Sequence, residues 1–378
     1  MKRALIFFLL ALLFAAGVSG CGSSENDAAK KSAAPGTGAP KLKIVTTIFP
    51  EYSWTKELLG SREKDTELTL LTKKGADMHS YQPSAEDILR IVDCDLFIYV
   101  GGESDKWVDK ALKQGGNPKR KVISLMKLLG SRAKVEEVEG MEKHDHHDHD
   151  KDAHAHQEKD KQDEKHEHHD KGKHDEKNEH EKEHNKDKRD EKDHHDQPEY
   201  DEHVWLSLKN ADIVCRALAE ELAALDSKNA ETYRANYDAY SKKLAVLDAK
   251  YKEAVTKALL KTVLFGDRFP FRYLTDDYGL KYYAAFNGCS AETEASFATV
   301  AFLAKKMDEL KLPAVLTIEG RQHKLAQTIV KNTKAKNQKV LTLNSMQSVT
   351  EEEIKKGITY LAVMEQNLNV FKEALQAQ

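Results

Sequence analysis

What this chain has little of narrows its function first. Its 59 basic and 63 acidic residues nearly cancel, leaving a formal net charge of −4 on 378 residues. No basic stripe interleaved with aromatics runs along it, so the electrostatic footprint of a nucleic-acid binder is missing. There is no nucleophile elbow and no glycine-rich phosphate loop, and the chain is read as something other than an enzyme. Cysteine is scarce and never forms a CxxC pair. Beyond Cys21 only Cys94, Cys215 and Cys289 remain, an odd number at wide spacings. They read as buried free thiols, with one disulfide among them as the alternative in an exported protein. The longest apolar run, residues 4–18, is too short to span a bilayer comfortably.

What is present at the start of the chain explains that run. Lys2 and Arg3 precede it and the small residues Ser19 and Gly20 follow, which is the pattern of an export signal over residues 1–20. Val18-Ser19-Gly20-Cys21 resembles the bacterial lipobox, in which the cysteine becomes the new N-terminus and carries lipid. Cys21 is therefore expected to anchor the protein in membrane lipid on the extracytoplasmic face of the cell membrane. Residues 21–41 are rich in Ser, Gly, Ala, Pro and Lys with no apolar period, the composition of a flexible tether. About 340 residues remain, more than one core usually holds, so two lobes are expected.

Both lobes read as α/β. KIVTTIF at 43–49, LTLLT at 68–72, DLFIYV at 95–100 and KVISL at 121–125 are strand-like, and helix-like stretches separate them; SAEDILRIV at 84–92 carries a capping box from Ser84 to Asp87. A second series, TVLFG from 262, KYYAAF at 281–286, AVLTI at 314–318 and KVLTL at 339–343, repeats the alternation. Alternating strands and helices predict two lobes, each a mostly parallel sheet flanked by helices. Between them Tyr233, Tyr237, Tyr240, Leu244, Leu247 and Tyr251 recur at helical spacing. One rigid helix over residues 229–258, about 45 Å long, would brace both lobes with this stripe packed inward. The expected division is an N-terminal lobe at 42–205, a helical linker at 206–260 and a C-terminal lobe at 261–378. Ligands of parallel sheets bind where strands end, so the cleft between the lobes is the place to look for chemistry.

Histidine is distributed unevenly. Fourteen of the 17 lie between His144 and His195, in an Asp-, Glu- and Lys-rich stretch, 142–196, with almost no apolar residue. Such a stretch cannot offset its ordering entropy by burial and is expected to be a disordered loop. Runs such as HDHHDHD at 144–150 place several imidazoles within reach of one ion, and imidazole suits zinc, copper and nickel whereas manganese prefers carboxylates. His79, His203 and His323 lie outside the stretch. The first two stand at a strand-to-helix junction and ahead of a helix, and the third reads as a surface helix residue.

GADMHSYQPSAED at 75–87 and DEHVWLSL at 201–208 resemble the two signature segments of the metal-specific solute-binding proteins of zinc and manganese importers, close to GxDxHxYxPxPxD and DPHxWLDP. The lipobox, tether, His-rich loop, long central helix and second lobe follow in the same order, so the resemblance covers nearly the whole exported chain. It implies that His79 and His203 are metal ligands. It also implies a third histidine in a segment like FHDAFGYF, where this chain has FGDRFPFRYLTDDYGL with Gly266 at the histidine's place. Asp267 is the nearest replacement and Glu319 in LTIEGRQH a second candidate, while Asn344 occupies the family's last ligand position. Two imidazoles with one or two oxygen donors, or a water, would make a four-coordinate zinc site.

The function this implies is the extracytoplasmic binding component of an ABC importer, a monomer that captures Zn2+, or less readily Mn2+, between its lobes and delivers it to the membrane permease. Gly266 and Asn344 keep open an alternative, a surface lipoprotein for metal storage or adhesion in which mainly the His-rich loop binds metal. Two histidines plus a carboxylate is also a catalytic zinc pattern, but no further enzyme signature accompanies it.

Overall fold

Short β-branched strands, each followed by a helix, build two sheets of four parallel strands. The first contains β1 (Leu42–Thr46), β2 (Thr66–Leu70), β3 (Leu96–Tyr99) and β4 (Lys121–Ser124) in the order β2-β1-β3-β4. The second contains β5 (Thr262–Phe269), β6 (Lys281–Asn287), β7 (Ala314–Ile318) and β8 (Lys339–Leu343) in the matching order β6-β5-β7-β8. Helices α1 (Phe49–Leu59), α2 (Ala85–Asp93), α3 (Trp107–Leu112) and α4 (Leu125–Leu129) alternate with the first set. Two long helices follow, α5 (Leu208–Leu225) and α6 (Ala230–Lys257). Then α7 (Arg272–Asp277), α8 (Phe297–Leu310) and α9 (Lys324–Lys331) alternate with the second set, and α10 (Glu351–Lys355) and α11 (Tyr360–Ala374) close the chain. This computed structural model describes residues 41–73, 75–136, 200–289, 295–320 and 323–377. The export signal, Cys21, the tether to residue 40 and the His-rich stretch 142–196 lie outside the described residues. Among the described residues no helix is long and apolar enough to cross a membrane.

The capping box that starts α2 forms as expected: Asp87 N donates to Ser84 Oγ at 3.2 Å and Ser84 N donates to Asp87 Oδ2 at 2.9 Å. The end of β5 does not. TVLFG reads as a strand closed by Gly266, yet β5 continues to Phe269 through a register shift between Phe265 and Arg268. Asp267 therefore lies inside the strand instead of just past it, and the bulge re-aims the residues that follow.

Two lobes with separate cores are expected, but the main apolar cluster is continuous. It runs from Ile44, Leu96 and Ile98 of the first sheet through Trp54, Leu218, Tyr233 and Tyr360 to Phe265, Leu316 and Phe371 of the second half. Smaller clusters cover the far faces, around Phe97 and Ile91 on one side and Leu264, Val315 and Ile329 on the other. Helix α6 spans this shared core; its 28 residues reach about 42 Å at 1.5 Å per residue. Tyr233, Tyr240, Leu244, Leu247 and Tyr251 are buried, and Tyr237 is half-buried with its hydroxyl donating to Asp212 Oδ1 at 3.3 Å. Near its start Asn236 Nδ2 donates to Leu58 O of α1 at 2.8 Å, and near its end Tyr251 Oη donates to Met364 O of α11 at 2.6 Å. The helix is thus fastened to the elements behind both sheets.

The turn from β1 into α1 is organised by a buried acid. Glu51 Oε2 accepts from Thr47 N at 2.8 Å, Thr47 Oγ1 at 3.1 Å and Ile48 N at 3.2 Å, while Oε1 has no hydrogen-bond partner. Burial, assisted by the nearby Asp105 carboxylate, pushes the Glu51 carboxyl from 4.5 up to about 8. Between those values the native state keeps a proton that the unfolded chain has lost. Stability is then full below pH 4.5 and falls as pH rises toward 8, by at most about 1.4 kcal/mol per pH unit. Glu51→Gln keeps an acceptor oxygen and removes the proton, so the loss of unfolding free energy between pH 5 and pH 8 should shrink by about 1–3 kcal/mol in urea titrations. An unchanged pH slope would show that Glu51 is ionised in the native protein.

Candidate metal centre

Two turns from distant parts of the chain meet at one point. The first is a 3-10 turn at Met78–Ser80, reached from the end of β2 and capped by Asp77, whose Oδ1 accepts from His79 N at 3.1 Å. The second begins at Asp201, whose Oδ1 accepts from His203 N at 2.8 Å, and leads through Val204–Leu206 into α5. His79 Nε2 and His203 Nε2 lie 3.1 Å apart across a sequence separation of 124. Two nitrogens bound to one tetrahedral zinc at 2.0–2.1 Å would stand about 3.3 Å apart, so the pair is already spaced to share an ion.

The partners behind each ring fix which nitrogen is free. His203 is fully buried and its Nδ1 lies 2.8 Å from Asp201 Oδ1; a carboxylate only accepts, so Nδ1 carries the proton and Nε2 presents a lone pair. His79 Nδ1 lies 2.7 Å from Ser104 Oγ, a hydroxyl that can donate or accept. Without an ion His79 donates from Nε2 to His203 and receives from Ser104. With one, the His79 proton moves to Nδ1 and Ser104 becomes the acceptor, so neither tautomer leaves a ring nitrogen orphaned. Burial, then the neighbouring His203, drives His79 from 6.5 down to about 3, which keeps the ring neutral at physiological pH.

Acidic groups stand behind the rings. Glu202 Oε1 accepts from Ser104 N at 2.9 Å, and its Oε2, 3.8 Å from His79 Nδ1, has no hydrogen-bond partner. Burial raises the Glu202 carboxyl and pushes Asp105, which accepts from Gly101 N, up to about 7. Gly102 at φ +91 permits this packing, since a Cβ there would sit 2.3 Å from Glu202 Oε1.

The second sheet supplies the opposite wall. Arg268, at the bulged end of β5, donates from Nη2 to Asp77 Oδ2 at 2.6 Å, so Asp77 ties the His79 turn to the second sheet. Burial alone would raise the Asp77 carboxyl, but the Arg268 guanidinium outweighs it and holds the group below its ordinary value. Cys289 follows β6, its backbone N–H donating to Glu136 Oε1 at 2.9 Å. The preceding Gly288 lets this turn close over His203, since a Cβ there would lie 2.9 Å from His203 Cε1 and 2.8 Å from Phe269 O. Tyr273 Oη donates to Asp201 O at 2.7 Å, Trp205 Nε1 to Ser345 O at 2.9 Å and Tyr360 Oη to Trp205 O at 2.7 Å. The segment bearing His203 is thus pinned by three contacts from the second half of the chain.

Among the described residues, the donors that cluster closely enough for one ion are His79, His203 and Cys289, with ligand atoms all within 4.8 Å of one another. Asp267 and Glu319 are not in this cluster. Asp267 accepts from Arg268 N at 2.9 Å and from Ile318 N at 3.5 Å inside the second sheet. Glu319 does follow a strand end as expected, but its two oxygens accept from Ser345 N and Ser345 Oγ, each at 2.7 Å, steadying the loop that receives Trp205. Gly266 faces α9, where a Cβ would lie 2.7 Å from Ala326 Cα, so a side chain there could not reach the histidines. Asn344 Oδ1 accepts from Met346 N at 2.8 Å, and His323 sits just before α9 near Thr342. Sequence reasoning missed Cys289 and Arg268. Cys289 does stand just past a strand end, the position used to find the other candidates, whereas Arg268 carries no such signal.

Fold and centre together define a class: a two-sheet α/β protein, spanned by one long helix, that presents a nitrogen and sulfur donor set where its halves meet. Comparison with known proteins places it more narrowly. The ZnuA family model, described as zinc-uptake complex component A, periplasmic, matches residues 44–374, and the chain belongs to that family. It is 31% identical over 333 residues to the zinc-binding lipoprotein AdcA of Streptococcus pneumoniae, covering 88% of this chain and 56% of AdcA, so it spans little more than half the length of that relative. It is 29% identical to the high-affinity zinc uptake system protein ZnuA of Bacillus subtilis, covering 95% of this chain and 93% of that one. The crystal structure of the Zn(II)-bound ZnuA-like domain of S. pneumoniae AdcA superposes with a TM-score of 0.60 at 27% identity, over 89% of this chain and 99% of that one.

The carboxylate behind His203 gives a test of this geometry. Asp201→Asn removes the charge that locks the tautomer while keeping the shape, and should weaken zinc binding about tenfold in competition against a chromogenic chelator. Undiminished affinity would mean that His203 does not present Nε2 to an ion.

Proposed function

We propose that the protein captures a zinc ion between His79 and His203 and delivers it to the permease of an ABC importer. The observation that carries this reading is the 3.1 Å approach of two Nε2 atoms from turns 124 residues apart, one backed by a carboxylate. Two imidazoles facing one another this closely serve little purpose in packing and suit a borderline cation better than manganese. Family membership and the zinc-uptake relatives support the same cargo. In this reading Asp267 and Glu319 shape the wall of the site through their hydrogen bonds, and the coordination positions that the two imidazoles leave open take further donors such as water.

The wider assignments follow from this role. Cys21 would carry lipid and hold the protein, as a monomer, on the extracytoplasmic face of the membrane, with the site at the junction of lobes 42–205 and 261–378. In this role the protein binds and releases its ion without chemistry. The His-rich stretch would collect ions weakly, and the described residues that flank it lie at the centre: Val135 and Tyr200 pair in an antiparallel bridge, and Glu136 touches the Cys289 turn. A storage or adhesive protein relying on that stretch alone would need no such imidazole pair.

Calorimetry on the full chain and on a variant lacking residues 142–196 separates the two kinds of site. The deletion should remove weak sites and leave one tight zinc per protein. His79→Ala or His203→Ala should lower tight affinity by more than the about 10–100-fold typical of losing an outer-shell partner. Loss of the tight site on deletion, or its survival in both alanine variants, would reject the proposal.

A further inference from the structure

We infer that the Cys289 thiolate is the third metal ligand, making the centre a two-imidazole, one-thiolate site that selects borderline and soft cations such as Zn2+ and Cd2+ over Mn2+. This rests on the reading of His79 and His203 as ligands and adds to it the donor that sets metal choice. Three observations carry it. The ligand atoms of the three residues lie within 4.8 Å of one another, and a zinc held by imidazole nitrogen and thiolate sulfur at 2.0–2.1 Å and 2.3 Å would need them about 3.6 Å apart. The Cys289 turn is built for that approach, with its N–H fixed by Glu136 and no side chain at Gly288 to push His203 away. The two carboxylates nearest in sequence logic, Asp267 and Glu319, are engaged by backbone N–H groups elsewhere.

Charge points the same way. Two neutral imidazoles bring no negative charge of their own to a dication, and the Arg268 guanidinium nearby is paired with Asp77. A thiolate contributes one negative charge within the coordination sphere, and its proton leaves to solvent as the metal enters. Manganese, which favours oxygen donors, gains least from such a ligand. Cys94 and Cys215 are buried free thiols in the interior, and neither belongs to the donor cluster.

Cobalt(II) tests this because sulfur ligation produces a near-ultraviolet charge-transfer band that nitrogen and oxygen ligation do not. The full chain with one equivalent of Co2+ should show that band together with the visible bands of a tetrahedral ion. Cys289→Ser should abolish the charge-transfer band while the visible bands persist, and should narrow the preference for Cd2+ over Mn2+ in competition. His79→Ala should abolish both sets. Should Cys289→Ala or Cys289→Ser fold poorly, the wild-type spectrum and zinc protection of Cys289 from alkylation decide the matter. Cobalt bound through His79 with no charge-transfer band, or a band that survives Cys289→Ser, would overturn the thiolate while leaving the histidine site standing. A full chain that binds neither zinc nor cobalt tightly would overturn both.

Discussion

Everything in this fold depends on holding two imidazole nitrogens, one on a buried ring and one on a half-buried ring, 3.1 Å apart. Left to themselves, two such groups would separate and take up water, because desolvation without a partner costs each of them. The protein prevents this by giving each ring a second bond on its far side, Asp201 for His203 and Ser104 for His79. The two partners differ in kind. Asp201 permits one tautomer only, whereas Ser104 accommodates both, so the pair stays fully bonded when empty and needs only one proton moved within His79 to present two lone pairs.

Such closeness has to be enforced by the rest of the molecule, and the continuous core explains how. Had each sheet its own core, the two turns would sit on bodies free to move against one another. Instead Trp54 of α1 packs edge-on against Tyr360 of α11 at 5.0 Å, Tyr360 N donates to Ser53 Oγ at 3.0 Å, and Tyr251 of α6 stacks on Tyr278 at 5.1 Å. The last helix therefore belongs to the first sheet's surroundings as much as to the second's. Rigid elements with interlocked side chains position donors more accurately than loops alone, which is what a site of a few ångströms requires.

Much of this was legible in the sequence, and the divide between legible and illegible is physical. Strands such as AVLTI at 314–318 and the capping box of α2 announce themselves through local period and local hydrogen bonds. His79 and His203 were legible because each sits in a segment whose local turn chemistry is itself distinctive, with Asp77 and Asp201 two residues ahead to cap the turn. The second-sheet half of the centre was not. A bulge in β5 moved Asp267 into the strand and brought Arg268 to the site, and no periodicity forecasts a bulge. Cys289 looked like any other scattered cysteine, since its neighbourhood is set by the pairing of β6 with β5 and by contacts with Glu136, all distant in the chain.

Arg268 shows how much the second sheet contributes. A guanidinium beside a cation site would repel the cargo if it stood alone, so its presence needs a reason. Its Nη2 is bound to Asp77, whose other oxygen holds the His79 backbone, and the side chain is only 6% exposed. An ion pair so little exposed contributes less through net Coulomb energy than through geometry, because desolvation offsets most of the attraction. What it fixes is distance: the His79 turn cannot move away from the second sheet without breaking the pair between Arg268 and Asp77. The positive charge is thus confined to bracing the wall of the site, and the donors that face inward, two neutral rings and a thiol, are left to decide which ion enters.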